Sequence, residues 1–238
     1  MHTDALPRVH HSGPPLLLPA VVYSILVVAG AATLGRSFGA PHDSAHQAAD
    51  YAASVAGSLR LGSFFEFGSS IPLLVFVATV VSRLRFLRVR AAGEVIALSG
   101  GLAAAAMLLL SSLSIWSITR PGVADTDSVV CALQALGFAG GGPGFVVPFG
   151  IFTAGVSVTA GLYRLIPRWL MILGIVVAVA CELASFTLVF WNAAYFIPVG
   201  RFLGIVWMIA VALTLPASVT LASINNRDRA PSAAAPSV

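Results

Sequence analysis

The chain has 238 residues, 58% of them hydrophobic and 9% charged, with a formal net charge of +4. A soluble domain carries roughly 25% charged residues, so this composition excludes a soluble enzyme or a nucleic-acid-binding domain and points to a polytopic membrane protein. A helical span takes about 20 apolar residues, so six spans leave room for short loops and for no extramembrane domain.

Residues 1–14 are polar and read as a cytoplasmic N-terminal segment. The apolar run 15–34 follows. Ala29-Gly30-Ala31 is a small-residue pattern of the kind signal peptidases cleave, but signal cores run to about 7–15 residues and this stretch is longer. It is read as span one. The largest loop, 36–61, contains Pro41-His42-Asp43-Ser44, a helix start with Pro early and polar residues around it, and its Ala-rich continuation predicts a surface helix. Span two is predicted over 62–82, followed by Arg83, Arg85, Arg88 and Arg90, four Arg in eight residues. Span three is predicted over 95–117 and ends at Arg120-Pro121-Gly122 by ordinary breaker chemistry.

The next stretch, 129–139, is apolar but too short to cross. Gly140-Gly141-Gly142-Pro143-Gly144 separates it from the apolar run 145–163, span four. Three placements fit the short piece: flat in the interface, a re-entrant dip, or the first half of a broken span four. Spans five and six are predicted over 169–191 and 202–221, with a polar, Ala/Pro/Ser-rich, disordered cytoplasmic tail over 225–238. Residues 15–224 thus form one six-helix transmembrane domain. Gly200 and Gly204 give small-xxx-small spacing, a helix-packing face. Cys131 and Cys181 carry no motif, and Cys181 lies too deep in its span for a disulfide between them.

All thirteen cationic residues are arginine. With the N-terminus inside, nine of them fall on the inner side (Arg8, the four of 83–90, Arg164, Arg168, Arg227, Arg229) and Arg36, Arg60, Arg120 and Arg201 on the outer. Positive charge on inner loops sets orientation, so both termini are expected in the cytoplasm. Trp116, Trp191, Tyr195, Tyr163 and Trp169 fall at predicted span ends, where aromatic belts form. The expectation is an all-α, polytopic integral membrane bundle of six transmembrane helices in the inner membrane of a bacterium.

Ionisable side chains at bilayer depth are costly and mark functional candidates. Arg60, Glu66, Glu182 and Arg201 all fall in the outer half, where they are expected to form one polar cluster. Read functionally, the cluster is an outward pocket binding or transporting a small solute or ion; read structurally, it is an ion-paired set that fixes packing. Glu94, in the first turn of span three, complements the helix dipole beside the Arg run. His42, His46 and Asp50 are spaced i, i+4, i+8 on one helix face, a weak metal-ligand signal. The glycine run lacks the Lys and Ser/Thr of a phosphate loop and gives backbone freedom where span four begins. No base–nucleophile set is visible, so enzyme chemistry ranks last, and no cofactor is expected. The alternative function is a non-catalytic interaction or regulatory protein acting through helix faces and the 83–90 loop. Expected partners are the lipid bilayer and a membrane protein or a second copy of the chain, with no nucleic acid.

Arg60-Leu61-Gly62 at the start of span two, and Tyr163-Arg164-Leu165-Ile166-Pro167-Arg168-Trp169-Leu170 with Gly174 between spans four and five, resemble short motifs of the six-span bacterial membrane proteins grouped as domain-of-unknown-function family 4386. The resemblance implies six spans in this order and no particular reaction. Where members of that family carry a His before span four, this chain has Gly and Pro, so no His-dependent role carries over.

Overall fold

The computed structural model describes residues 8–34 and 44–220. It is all-α apart from one small clasp, and six helical segments are long and apolar enough to cross a membrane. The clasp pairs β1 (Arg8–His10) antiparallel with β2 (Ser218–Thr220). The first and last described segments therefore lie at the same end of the bundle, as an even number of spans requires.

Span one is α1 (Leu17–Leu34). The predicted surface helix is α2 (Ala45–Ser54), where the Ser44 hydroxyl accepts from the Gln47 N–H and caps the first turn; Pro41 to Asp43 lie outside the described residues. A break at Val55 leads into α3 (Ala56–Phe86), far longer than the apolar run that announced it. Span three is α4 (Ala92–Ile118), with Glu94 in its first turn. At about 1.5 Å per residue its 27 residues reach some 40 Å, enough for the roughly 30 Å hydrocarbon core.

The short apolar piece proves to be the first half of a broken span four. Helix α5 (Asp127–Gly141) stops at Gly142, and α6 (Pro143–Leu162) begins at once. Both halves run antiparallel along α4. Gly137 lies against Ile115, Gly140 against Ser111 and Gly144 against Met107. Beyond the break, Phe152 lies against Gly100, and Gly155 against Ala97 and Gly93. Partner numbers fall steadily as chain numbers rise, so Gly142 kinks one continuous span.

Span five is α7 (Arg168–Leu183), prolonged by a 3₁₀ turn (Ala184–Leu188). Span six opens irregularly, with a 3₁₀ turn (Trp191–Tyr195), the short α8 (Phe196–Pro198) and a π-helical turn (Val199–Leu203), before α9 (Gly204–Thr214).

Lipid gives no hydrophobic drive between helices, so close packing of small residues must hold them together. The α4–α6 contact is built that way. A Cβ on Gly100 would sit 2.6 Å from the Phe152 nitrogen, and one on Gly155 would sit 2.8 Å from the Gly93 carbonyl oxygen. Behind this seam, Phe145, Phe149 and Phe152 recur at i, i+4, i+7 along α6. Phe152 meets Phe76 edge-on at 6.2 Å and Trp207 at 5.7 Å. Each such pair contributes about 0.5–1.5 kcal/mol beyond area burial. Gly200 packs on Cys181 and Gly204 on Phe149, which gives the small-residue face of span six its partners. Outward, residues such as Ile25, Phe64, Ile71, Val176 and Val206 are exposed to the bilayer.

Candidate polar site at the break in span four

The site begins with the backbone. Pro143 has no N–H, and Gly142 departs from helical geometry (ψ −111°), so carbonyls at the end of α5 lose their usual partners. The Gly141 carbonyl instead accepts a 2.6 Å hydrogen bond from Arg201 Nη2. Arg201 comes from the π-helical turn, a local rewinding that often accompanies functional positions. The same nitrogen lies 3.6 Å from Glu66 Oε1, and the guanidinium rests 5.0 Å from the Phe145 ring centroid. Ser111 Oγ lies 3.3 Å from Glu66 Oε2 and 2.9 Å from the Gly137 carbonyl oxygen; it carries one proton to share between them. Glu66 is 13% exposed and Arg201 22%, and Arg201 Nε is buried without a hydrogen-bond partner among the described residues. Four spans thus meet at one carboxylate, one guanidinium and the negative end of a half-helix.

Two cavities flank the pair. One of about 190 Å³ lies against Ile115, Phe138 and Ile197, with Glu66 and Arg201 on its wall. A second, of about 40 Å³, reaches the same two side chains from the side of Val27 and Gly30. Even the smaller has room for a water, and both have polar groups to hold one.

Of the four residues expected in one cluster, the structure brings Glu66 and Arg201 together and leaves Arg60 and Glu182 apart. Arg60 is exposed beside Phe64, Phe67 and Trp116. It stands six positions before Glu66, and at 3.6 residues per turn that places it about 120° around α3. Glu182 is exposed in a groove with Ile175 and Val179, because its neighbour Cys181 takes the inward position against Gly150 and Gly200. Ser111 and the Gly137 carbonyl were not singled out from the sequence. The spacing Gly137, Gly140, Gly141 on a half-length apolar helix was the available signal.

The arginine run is not uniform either. Arg85, Arg88 and Arg90 are exposed, and Arg85 Nε lies 3.1 Å from Glu94 Oε1. Arg83 is 5% exposed, because α3 continues past the predicted end of its span and turns this side chain inward. Arg83 Nη1 donates 3.2 Å to the Leu215 carbonyl, the C-cap of α9, where a cation complements the helix dipole. It is a structural cap rather than part of a solvated loop. Helices α3 and α6 end alike, with Arg88 (φ 61°) and Arg164 (φ 54°) in left-handed geometry. The paired bonds Val89 N to Leu84 O and Arg88 N to Arg85 O, repeated at Leu165 and Arg164, define the same C-terminal turn.

His42 lies outside the described residues. His46 does meet Asp50, with 3.5 Å from Nε2, but its Nδ1 is 3.0 Å from Asp127 at the start of α5. Both ring nitrogens therefore face carboxylates, and the hydrogen bond to Asp127, reinforced by the charge of Asp50, raises the His46 pKa. Among the described residues no group of three or more His, Cys, Asp or Glu is placed to hold a metal. Cys131 and Cys181 are free thiols. The chain matches no protein-family model, no curated protein and no solved structure.

Proposed function

We propose that this multi-pass membrane protein binds a small polar solute or ion at the Glu66–Arg201 pair, within a bacterial inner membrane and with its arginine-rich end in the cytoplasm. The observation that carries the reading is the meeting of that pair with the broken span and a cavity. Discontinuous helices whose ends face a polar cavity are a recurrent way to build solute and ion sites in transporters. The 3.6 Å separation leaves the pair loosely closed, so a ligand carrying charge or hydrogen-bonding groups can exchange with it. The positive-inside count supports the orientation, and the resemblance of two short motifs to those of domain-of-unknown-function family 4386 supports a six-span bacterial protein.

The test is water access. In a chain with Cys131 and Cys181 replaced by Ser, Ser111→Cys is expected to react with a membrane-impermeant maleimide added from outside, and Ser157→Cys to stay unlabelled. If Ser111→Cys reacts from neither side in folded protein, the pair is a packing device and the reading fails. A second reading, interaction through the basic end, draws on Arg85, Arg88 and Arg90 around a cleft of about 500 Å³. It predicts that a membrane partner is retained only while those three arginines are intact.

A further inference from the structure

Glu182 has no place in the Glu66–Arg201 site, and its position needs an explanation of its own. Its carboxylate makes no hydrogen bond or ion pair among the described residues, although it stands inside span five. A charged group facing hydrocarbon is costly unless something pairs with it. The groove it occupies measures about 690 Å³, within the range of small-molecule sites. Small residues make its floor, since Gly150 and Ala178 let α6 approach α7 closely and Ala154 continues the channel. Ile151, Ile175 and Val179 line its walls and are themselves open to lipid. From Ile175 to Phe186 it extends about 17 Å along the helix axis. The single carboxylate stands toward one end, nearer Trp191 and the membrane surface.

We propose that this groove binds a single-chain amphiphilic amine drawn from the bilayer, with its ammonium group on Glu182 and its alkyl chain lying over Ala154 toward Ile175. The polarity matches that of an amphiphile in its own leaflet, head toward the surface and tail toward the midplane. The charge selects among amphiphiles: a fatty acid or alkyl sulfate meets repulsion, and a neutral alcohol gains nothing from the carboxylate. This inference stands on a different part of the bundle from the proposed solute site and does not depend on it.

The experiment uses the full chain in phosphatidylcholine nanodiscs and a dodecylamine carrying a photoactivatable diazirine at the chain end, with the matching alcohol and sulfate as controls. Cross-linked peptides are mapped by mass spectrometry. The amine is expected to label peptides of α6 and α7 about tenfold more than either control, and Glu182→Gln to remove about that factor, as one charge-assisted contact implies. Ala154→Phe, which fills the floor and leaves the carboxylate in place, is expected to block the amine as well. If Glu182→Gln does not fold, the amine-to-alcohol ratio in the parent and the Ala154→Phe result still decide. Equal labelling by amine and alcohol, or undiminished amine labelling after Ala154→Phe, would overturn the proposal. So would a dimer joined through groove peptides in a parallel experiment with a bifunctional cross-linker, which would make a second copy of the chain the occupant.

Discussion

Glu66 and Arg201 do unequal work for each other. Arg201 has two other supports, the Gly141 carbonyl and the Phe145 ring, whereas among the described residues Glu66 has only the shared Ser111 hydroxyl besides the guanidinium. Removing the cation therefore strands a largely buried carboxylate. Arg201→Gln is expected to cost on the order of 3 kcal/mol, and Glu66→Gln about 1 kcal/mol. The double variant should lose less than the sum, because the stranded charge is gone. Denaturant unfolding in mild detergent measures all three, and strict additivity would show the two groups are not coupled. His46 gives a second residue-scale test. Its pKa is raised by the Asp127 hydrogen bond and the nearby Asp50 charge, so the folded chain holds the proton more tightly than the unfolded one. The contribution of His46 to the α2–α5 contact is then complete below the ordinary value of 6.5 and is lost as pH rises through the raised one, while the packing of Ala49 and Ala52 with Val130 stays. The protection of the α2 amides, taken relative to their intrinsic exchange rate at each pH, should fall from about pH 6 to about pH 9, and His46→Gln should flatten that fall. Rare charges in apolar runs made Glu66 and Arg201 legible in the sequence. Ser63, Glu66, Ser69 and Ser70 share one face of α3 and that face is buried, a stripe that points Glu66 inward; α7 is apolar on nearly every face and has no polar stripe to fix its rotation. Glu182 was lost to the cluster for that reason, and Arg60 because it stands about 120° around α3 from Glu66.

Among the elements, the α4–α6 seam is where sequence and packing meet most directly. Gly93, Ala97 and Gly100 face Gly155 and the α6 backbone, and any larger residue there must push two spans apart. Gly100→Leu and Gly155→Leu are each expected to destabilise the bundle by about 1–3 kcal/mol or more, while Leu at exposed Val95 should be neutral. Thermal denaturation in detergent separates these outcomes, and a neutral Gly100→Leu would mean that the seam is not tight. The seam also explains why span four was hard to read. Residues 129–139 look too short to cross because the glycine run interrupts hydropathy, yet the interruption costs the chain only a kink, since α4 lies continuous behind both halves. The long α2–α3 segment was hidden for the opposite reason: Arg60, Arg83 and Arg85 end an apolar run without ending the helix.

At the scale of the whole molecule, the clasp constrains topology more firmly than charge does. Strand β1 pairs with β2, the His11 ring lies edge-on to Phe86 at 5.4 Å, and His11 Nε2 is 3.0 Å from Ser82 Oγ. The Gly13 N–H donates to His11 Nδ1, which fixes the neutral tautomer. Partial burial, with the charge of Arg83 nearby, lowers the His11 pKa. The clasp is therefore intact above the ordinary value of 6.5 and weakens as pH falls through the lowered one, the reverse of the His46 contact at the far end. This clasp ties the first and last described segments to the face that holds Arg85, Arg88 and Arg90, so all of them must lie on the same side of the membrane, whichever side that is. In the chain with native Cys131 and Cys181 replaced by Ser, an impermeant maleimide should reach Gly122→Cys on intact cells. It should reach Arg90→Cys and His10→Cys only after permeabilisation. Labelling of all three from outside would contradict the six-span bundle, while the inverse pattern would keep the bundle and reverse the charge-based orientation. Replacing Arg85, Arg88 and Arg90 by Gln tests the cause separately. Arg83 stays in place to cap α9, the nine-to-four arginine bias falls to six-to-four, and a fraction of inverted molecules should appear if charge sets the orientation.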